Sequence, residues 1–275
     1  MKKPSTRHQA HGTFSIIGAG RVGTSLARAL VGKGWRVEYL VARTKKSARN
    51  AARLVGHGAR ASHAIGRASL NPQAALRSDV VLWCVPDDVL PMLARKVSSA
   101  IHHSSSIIHL HTSGVHPSSA LAPLKKRGAS IGSFHPLASI PAPGFSLPRG
   151  AFYAVEGDAR AFRAARSIVR ALGGNAISIA PKDKALYHAG AVMAANGLVA
   201  LLDAALEAGG RATSNRRGGD AIARAFLLLA EGTLRNVRRK GTRATLTGPV
   251  ARGDAGAVAL HIAALRKSAP ALLPL

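Results

Sequence analysis

Short apolar, β-branched runs alternate with Ala- and Leu-rich stretches from the start of the chain to about residue 180, a pattern that predicts strands separated by helices. The strand-like runs are "TFSII" at 13–17, "RVEYLVA" at 36–42, a short one near 59–62, "DVVLWCV" at 79–85, "SIIHL" at 106–110 and "ASIGSF" at 129–134. Two weaker runs, "AFYAVEG" and "NAISIA", flank a helical stretch that opens on Asp158, a candidate N-cap. After Pro181 only the helical period remains. It predicts a long helix from about Asp183 to Ala208, a second from about Asp220 to Lys240 and a last one capped by Asp254, with a glycine-rich basic loop, "GGRATSNRRGGD", after the first. The expected fold is α/β: a doubly wound, mostly parallel sheet over 12–181, followed by an all-helical domain over 182–275. "IPAPGFSLPRG", rich in Pro and Gly, is expected to act as a hinge or lid. A ligand is expected in a cleft between the two parts. The most apolar stretch, Ala189 to Leu202, contains Asn196 and stops at Asp203, short of the roughly 20 residues that span a bilayer. It reads as a buried helix, with no membrane span expected.

Composition narrows the classes. With 275 residues and 47% hydrophobic content the chain can build a sizeable core. Thirty-nine Lys and Arg against 12 Asp and Glu give a formal charge of +27, which puts an anionic partner first. The basic residues are spread from Lys2 to Lys267 in short clusters, and aromatic content is only 4%, which gives little for unpaired bases to stack on. Nucleic acid is therefore set aside as the main partner. The single cysteine, Cys84, excludes an internal disulfide and a thiol cluster for zinc. The N-terminus is basic but lacks an apolar signal core, so the expected compartment is the cytoplasm.

The chemistry starts at "FSIIGAGRVG". Gly18, Gly20 and Gly23 form G-x-G-x-x-G directly after a strand and at the start of an amphipathic helix, with Ala19, Arg21 and Val22 between them. Such a loop offers backbone N–H groups and a helix N-terminus to a pyrophosphate, so the sheet is expected to bind a dinucleotide. About 20 residues further on, a carboxylate ordinarily holds the ribose. Here "YLVARTKKSAR" supplies none. Arg43 can stack on an adenine and pair with a 2'-phosphate, Thr44 can add a hydroxyl, and Lys45 or Lys46 charge, so the cofactor expected is NADP(H) rather than NAD. The plainer alternative is a helix N-terminus that is basic for no ligand's sake. Cys84, Val85 and Pro86, in "VLWCVPDD", are placed where the sheet order should reverse and form a wall for the nicotinamide end.

His135, in "GSFHPLAS", closes the sixth strand on the same side. An imidazole with pKa near 6.5 suits proton donation to a carbonyl being reduced. Ser113, in "HLHTSG", closes the fifth strand and is a candidate to orient His135 or the substrate; an ordinary turn serine explains it equally well. "KALYHAGAVMAANG" sets Lys184, His188 and Asn196 on a helix otherwise full of small residues, and His188 and Asn196 are candidates to border the cleft. In "LTGPVARGD", Arg252 is a candidate clamp for a substrate carboxylate. A metal site is not expected: His102, His103, His109, His111 and His116 are close in sequence, without carboxylates or thiols to complete a set.

Taken in order, "GAGRVGTSLARAL", "VLWCVPDD", "GSFHPLAS", "DKALYHAGAVMAAN" and "LTGPVARGD" resemble the Rossmann-like proteins whose C-terminal half is a domain of unknown function. Their wider relatives include prephenate dehydrogenases, pyrroline-carboxylate reductases, ketopantoate reductases and β-hydroxyacid dehydrogenases. The resemblance to prephenate dehydrogenases implies a catalytic His135 in a His-Pro turn with Ser113 after the preceding strand. β-Hydroxyacid dehydrogenases carry a Lys four residues before an Asn on the first helix after the sheet. Asn196 matches that Asn, but the Lys position is Val192, which moves the expected proton chemistry to His135, with His188 second. The relatives also imply a homodimer through the helical domain. The expected activity is NADPH-dependent reduction of a small carbonyl compound, a ketopantoate-like keto acid, with an imine substrate or a non-catalytic dinucleotide sensor as alternatives.

Overall fold

The computed structural model describes residues 12–56, 60–63, 76, 78–99, 107–213 and 216–274. Eight strands form one sheet: β1 (Thr13–Ile17), β2 (Arg36–Ala42), β3 (Arg60–His63), β4 (Val80–Trp83), β5 (Ile108–His111), β6 (Ser130–Leu137), β7 (Phe152–Gly157) and β8 (Asn175–Ser178), in the order β3-β2-β1-β4-β5-β6-β7-β8. All neighbours are parallel except β6 and β7, which pair antiparallel. The order reverses between β1 and β4, the place where doubly wound sheets open a crevice at their carboxyl ends.

Successive residues of a strand face opposite sides, and the core divides accordingly. Phe14, Ile16, Leu40, Leu82, Leu110 and Phe134 pack with α1 (Arg21–Val31), α2 (Lys45–Val55) and α5 (Ala159–Ala171) on one face. Ile17, Val81, Trp83 and Ile131 pack on the other with α3 (Leu90–Ser99) and with the Ser118–Leu121 turn that leads into α4 (Ala122–Lys125). Asp158 caps α5, accepting from the Ala161 N–H at 3.0 Å. The segment expected to be a hinge or lid lies instead against α1, where the Arg28 guanidinium donates to the Gly144 carbonyl at 2.8 Å.

The chain forms two compact units, 1–191 and 192–275, so α6 (Lys184–Val192) belongs almost wholly with the sheet. The second unit starts with a π-helical turn, Met193–Gly197, that contains Asn196 and runs into α7 (Leu198–Arg211). α8 (Arg216–Thr245) bends at Gly241, and α9 (Gly248–Ala251) leads to α10 (Ala255–Ser268), capped by Asp254. α7 packs closely on α8: a Cβ on Gly209 would stand 2.6 Å from Ile222 and 2.7 Å from Phe226.

The long apolar helix is not buried as expected. Pro181–Arg211 is 31 residues with hydropathy 1.7, long and apolar enough by length and composition to cross a membrane, and none of its apolar window is buried within the chain. Met193, Val199 and Leu201 are 67%, 66% and 58% exposed. A short set of helices leaves this face without a layer of its own to pack against.

Candidate active site

The phosphate loop is built by its glycines in three different ways. Gly18 holds a φ of +99°, and a Cβ there would collide with the Cys84 carbonyl of the β4 tip. A Cβ on Gly23 would collide with the Gly18 carbonyl and stand 2.8 Å from Ile16, so its absence lets α1 seat on β1. Gly20, exposed at the N-cap of α1, has nothing within 4 Å of its missing side chain. Its bareness serves no packing among the described residues and leaves backbone open to a ligand at a helix N-terminus. Arg43 is exposed just past β2. The Thr44 hydroxyl, expected to face a 2'-phosphate, is used locally: it accepts from the Ser47 N–H at 3.1 Å as the cap of α2 and donates to the Ser47 Oγ at 2.9 Å.

From Gly18 a run of contacts leads along the strand ends. Cys84 lies beside Gly18, and the Thr112 side chain hydrogen-bonds both the Cys84 thiol and the Trp83 carbonyl, the latter at 3.3 Å. Desolvation pushes the Cys84 thiol up to about 12, which keeps it a neutral thiol rather than a thiolate nucleophile. Beyond Thr112 come Ser113 and Gly114, and here the histidines meet. A Cβ on Gly114 would collide with His188 Nδ1 and stand 2.9 Å from His135 Nε2. The two rings are edge to face with centroids 5.6 Å apart, and His188 Nδ1 is buried without a hydrogen-bond partner among the described residues. Two imidazole nitrogens thus converge over a glycine.

His135 is oriented by Tyr187, a residue that no motif in the sequence marks. Its Nδ1 lies 3.0 Å from the Tyr187 hydroxyl. Ser113, expected to orient it, turns its hydroxyl to accept from the His116 N–H at 3.0 Å and meets the site through its carbonyl. That carbonyl accepts from the Lys184 ammonium at 3.1 Å, and the same ammonium donates to the Ser133 Oγ at 2.7 Å. Lys184, Tyr187 and His188 share one face of α6 by helical spacing, the one signal in the sequence that groups them. Asn196 and Arg252 are exposed and belong to the second unit.

Burial shapes the electrostatics. Desolvation first, then the charge of Lys184, holds His135 down at about 4, so its ring is neutral near pH 7 and not the imidazole of ordinary pKa expected from sequence. Desolvation lowers Lys184 itself to about 8, against the pull of Glu156 and Asp87. Of the histidines weighed for a metal, His109 Nδ1 accepts from the Trp83 indole, while His111 Nε2 and His116 Nε2 donate to the Pro117 and Asp87 carbonyls. His102 and His103 lie outside the described residues.

A parallel-rich sheet reversing at β1/β4, with an open glycine loop at its carboxyl edge, defines the class: a dinucleotide-type Rossmann fold joined to a helical unit. Comparison with known families agrees. Residues 1–136 match the Rossmann-like domain and residues 151–274 match the domain of unknown function DUF2520, so the chain pairs these two domains. No curated protein matches the sequence. Among solved structures, the reductive aminase of Aspergillus terreus in complex with NADPH and ethyl-5-oxohexanoate is 17% identical over 96% of this chain and 90% of its own, with a TM-score of 0.66. Pyrroline carboxylate reductase of Plasmodium falciparum with NADP bound is 13% identical over 95% and 96%, at 0.59. Prephenate dehydrogenase of Aquifex aeolicus is 14% identical over 84% and 94%, at 0.54. These similarities establish the fold.

Proposed function

We propose that the chain is an NADP(H)-dependent oxidoreductase that reduces a small carbonyl compound, with a keto acid as its substrate class. The observation that carries this reading is the convergence of His135 Nε2 and His188 Nδ1 on Gly114, linked through Thr112 and Cys84 to the phosphate loop. The loop fits a dinucleotide: Gly18, Ala19, Gly20, Arg21, Val22 and Gly23 would hold the pyrophosphate, Arg43 a 2'-phosphate, and Cys84, Val85 and Pro86 the wall beside the nicotinamide. When bound, the reduced nicotinamide supplies a hydride to the carbonyl carbon.

The residues of the chain manage the proton. A neutral His135 offers its Nε2 proton to the substrate oxygen as that oxygen gains charge, while the Tyr187 hydroxyl gives its proton to Nδ1; after product leaves, Nδ1 hands that proton back to Tyr187 and Nε2 takes one from solvent. In the reverse direction the same neutral ring accepts the proton of an alcohol. His188, with its Nδ1 unengaged, holds the substrate. Asn196 and Arg252 are kept as substrate-binding candidates. The uncovered apolar residues of the second unit are read as the surface of a homodimer.

An imine substrate is the second reading, favoured by the fold's likeness over most of its length to an imine reductase and to the pyrroline carboxylate reductase. Turnover of a panel of keto acids and cyclic imines with NADPH and NADH tests both. The expected result is keto-acid reduction with NADPH preferred, and loss of that preference in Arg43→Ala. Equal use of the two cofactors, or binding of neither, contradicts the NADP(H) assignment, and turnover of imines alone replaces the keto-acid reading.

A further inference from the structure

We propose that Lys184 is the positioning residue of this site, a buried cation that ties the end of β5, β6 and α6 together and fixes where the His135 and His188 rings stand over Gly114. The proposal rests on the functional reading only in taking His135 as the group that moves the proton.

Lys184 is 1% exposed and makes no ion pair among the described residues. A buried ammonium satisfied by neutral groups costs more than an apolar side chain of the same length, so packing alone does not account for it. Its contacts do. The Ser113 carbonyl is one residue from Gly114, Ser133 is two residues before His135 on the same face of β6, and Tyr187 and His188 follow Lys184 by one helical turn. One ammonium therefore reaches each piece of backbone that carries a site residue. Its Nζ also stands 6.0 Å from the centre of the Tyr187 ring, the partner of His135.

A hydrophobic residue could fill this space, but it could not place charge beside the histidines. The charge of Lys184 opposes protonation of His135 and of His111, while Glu156 and Asp87 favour the charged form of Lys184. Besides these, the groups set around the ammonium are Ser113, Ser133 and Tyr187. Glu156 stands opposite Ser133 on β7, and Ser133 opposite His111 on β5, so Lys184 sits over one polar row that crosses three strands.

The test is Lys184→Met in the full chain, read two ways. Ring NMR of His135 against pH is expected to show its titration moved upward from wild type, because a nearby positive charge is gone. Turnover is expected to fall about 100-fold in kcat with NADPH affinity unchanged, the scale of effect that a misplaced catalytic group produces. An unmoved His135 titration overturns the proposal. Should the Met variant fail to fold, Ser133→Ala removes one acceptor of the ammonium and keeps the charge; kcat should then fall with NADPH affinity unchanged, and an unchanged kcat overturns the proposal equally. A moved His135 titration in a protein that reduces none of the panel leaves Lys184 in place and rejects the reductase reading instead.

Discussion

Gly18 and Gly20 stand two residues apart in the same loop and answer to different constraints. Gly18 is required by the fold itself, through its positive φ and the Cys84 carbonyl beside it. Among the described residues nothing requires Gly20. Gly18→Ala is therefore expected to lower the melting temperature by several degrees, whereas Gly20→Ala is expected to melt like wild type and to bind NADPH at least about tenfold more weakly, from calorimetric titration. A Gly20→Ala protein that binds NADPH normally would remove the reason for that glycine. Residue identities of this kind were legible in the sequence, because G-x-G-x-x-G after a strand carries its own physical explanation. The partners of His135 were not. Helical spacing sets Lys184, Tyr187 and His188 on one face of α6, but spacing within a helix does not say which strand ends that face meets. Nor does it reveal that Ser133 and the Ser113 carbonyl would draw in the lysine, or that burial would bring His135 down to about 4.

At the scale of elements, strand positions were readable to within a few residues, since short β-branched runs bounded by turns leave little room for error. Their directions were less so. β7 runs antiparallel to β6 because the connection between them, residues 138–151, is a Pro- and Gly-containing segment laid on α1 rather than a crossover helix, and parallel pairing needs a crossover. The following connection is the helix α5, and β8 returns to parallel. The first long helix was expected as one piece and runs without a break over Pro181–Arg211, but with a π turn inside it at Asn196. A π turn adds a residue and shifts the phase of the helical period, but residues 189–202 are apolar or small nearly all round, so no shift in an apolar face shows in the sequence. The same helix was misjudged as buried, because apolar composition records that a face needs cover without saying whether its own chain supplies it.

For the whole molecule, the +27 charge is held with only three ion pairs among the described residues, so most of it is solvated and the buried titratable groups matter more to stability. His109 and His111 are pushed down to about 3 and His135 to about 4, all three first by burial. The unfolded chain binds these protons near pH 6.5 while the folded first unit refuses them, so stability is full above about 6.5 and declines as pH falls towards 4 and 3. Urea unfolding followed through Trp35 and Trp83, both in the first unit, should show a lower midpoint at pH 5 than at pH 7. Equal midpoints would mean that these histidines are protonated in the folded protein. The central claim joins a cofactor loop to a proton-handling histidine, and it is tested most directly by measuring NADPH affinity and reductase turnover side by side in His135→Ala. The account predicts unchanged affinity with kcat at least about 100-fold lower. Turnover that survives the substitution undiminished would contradict it.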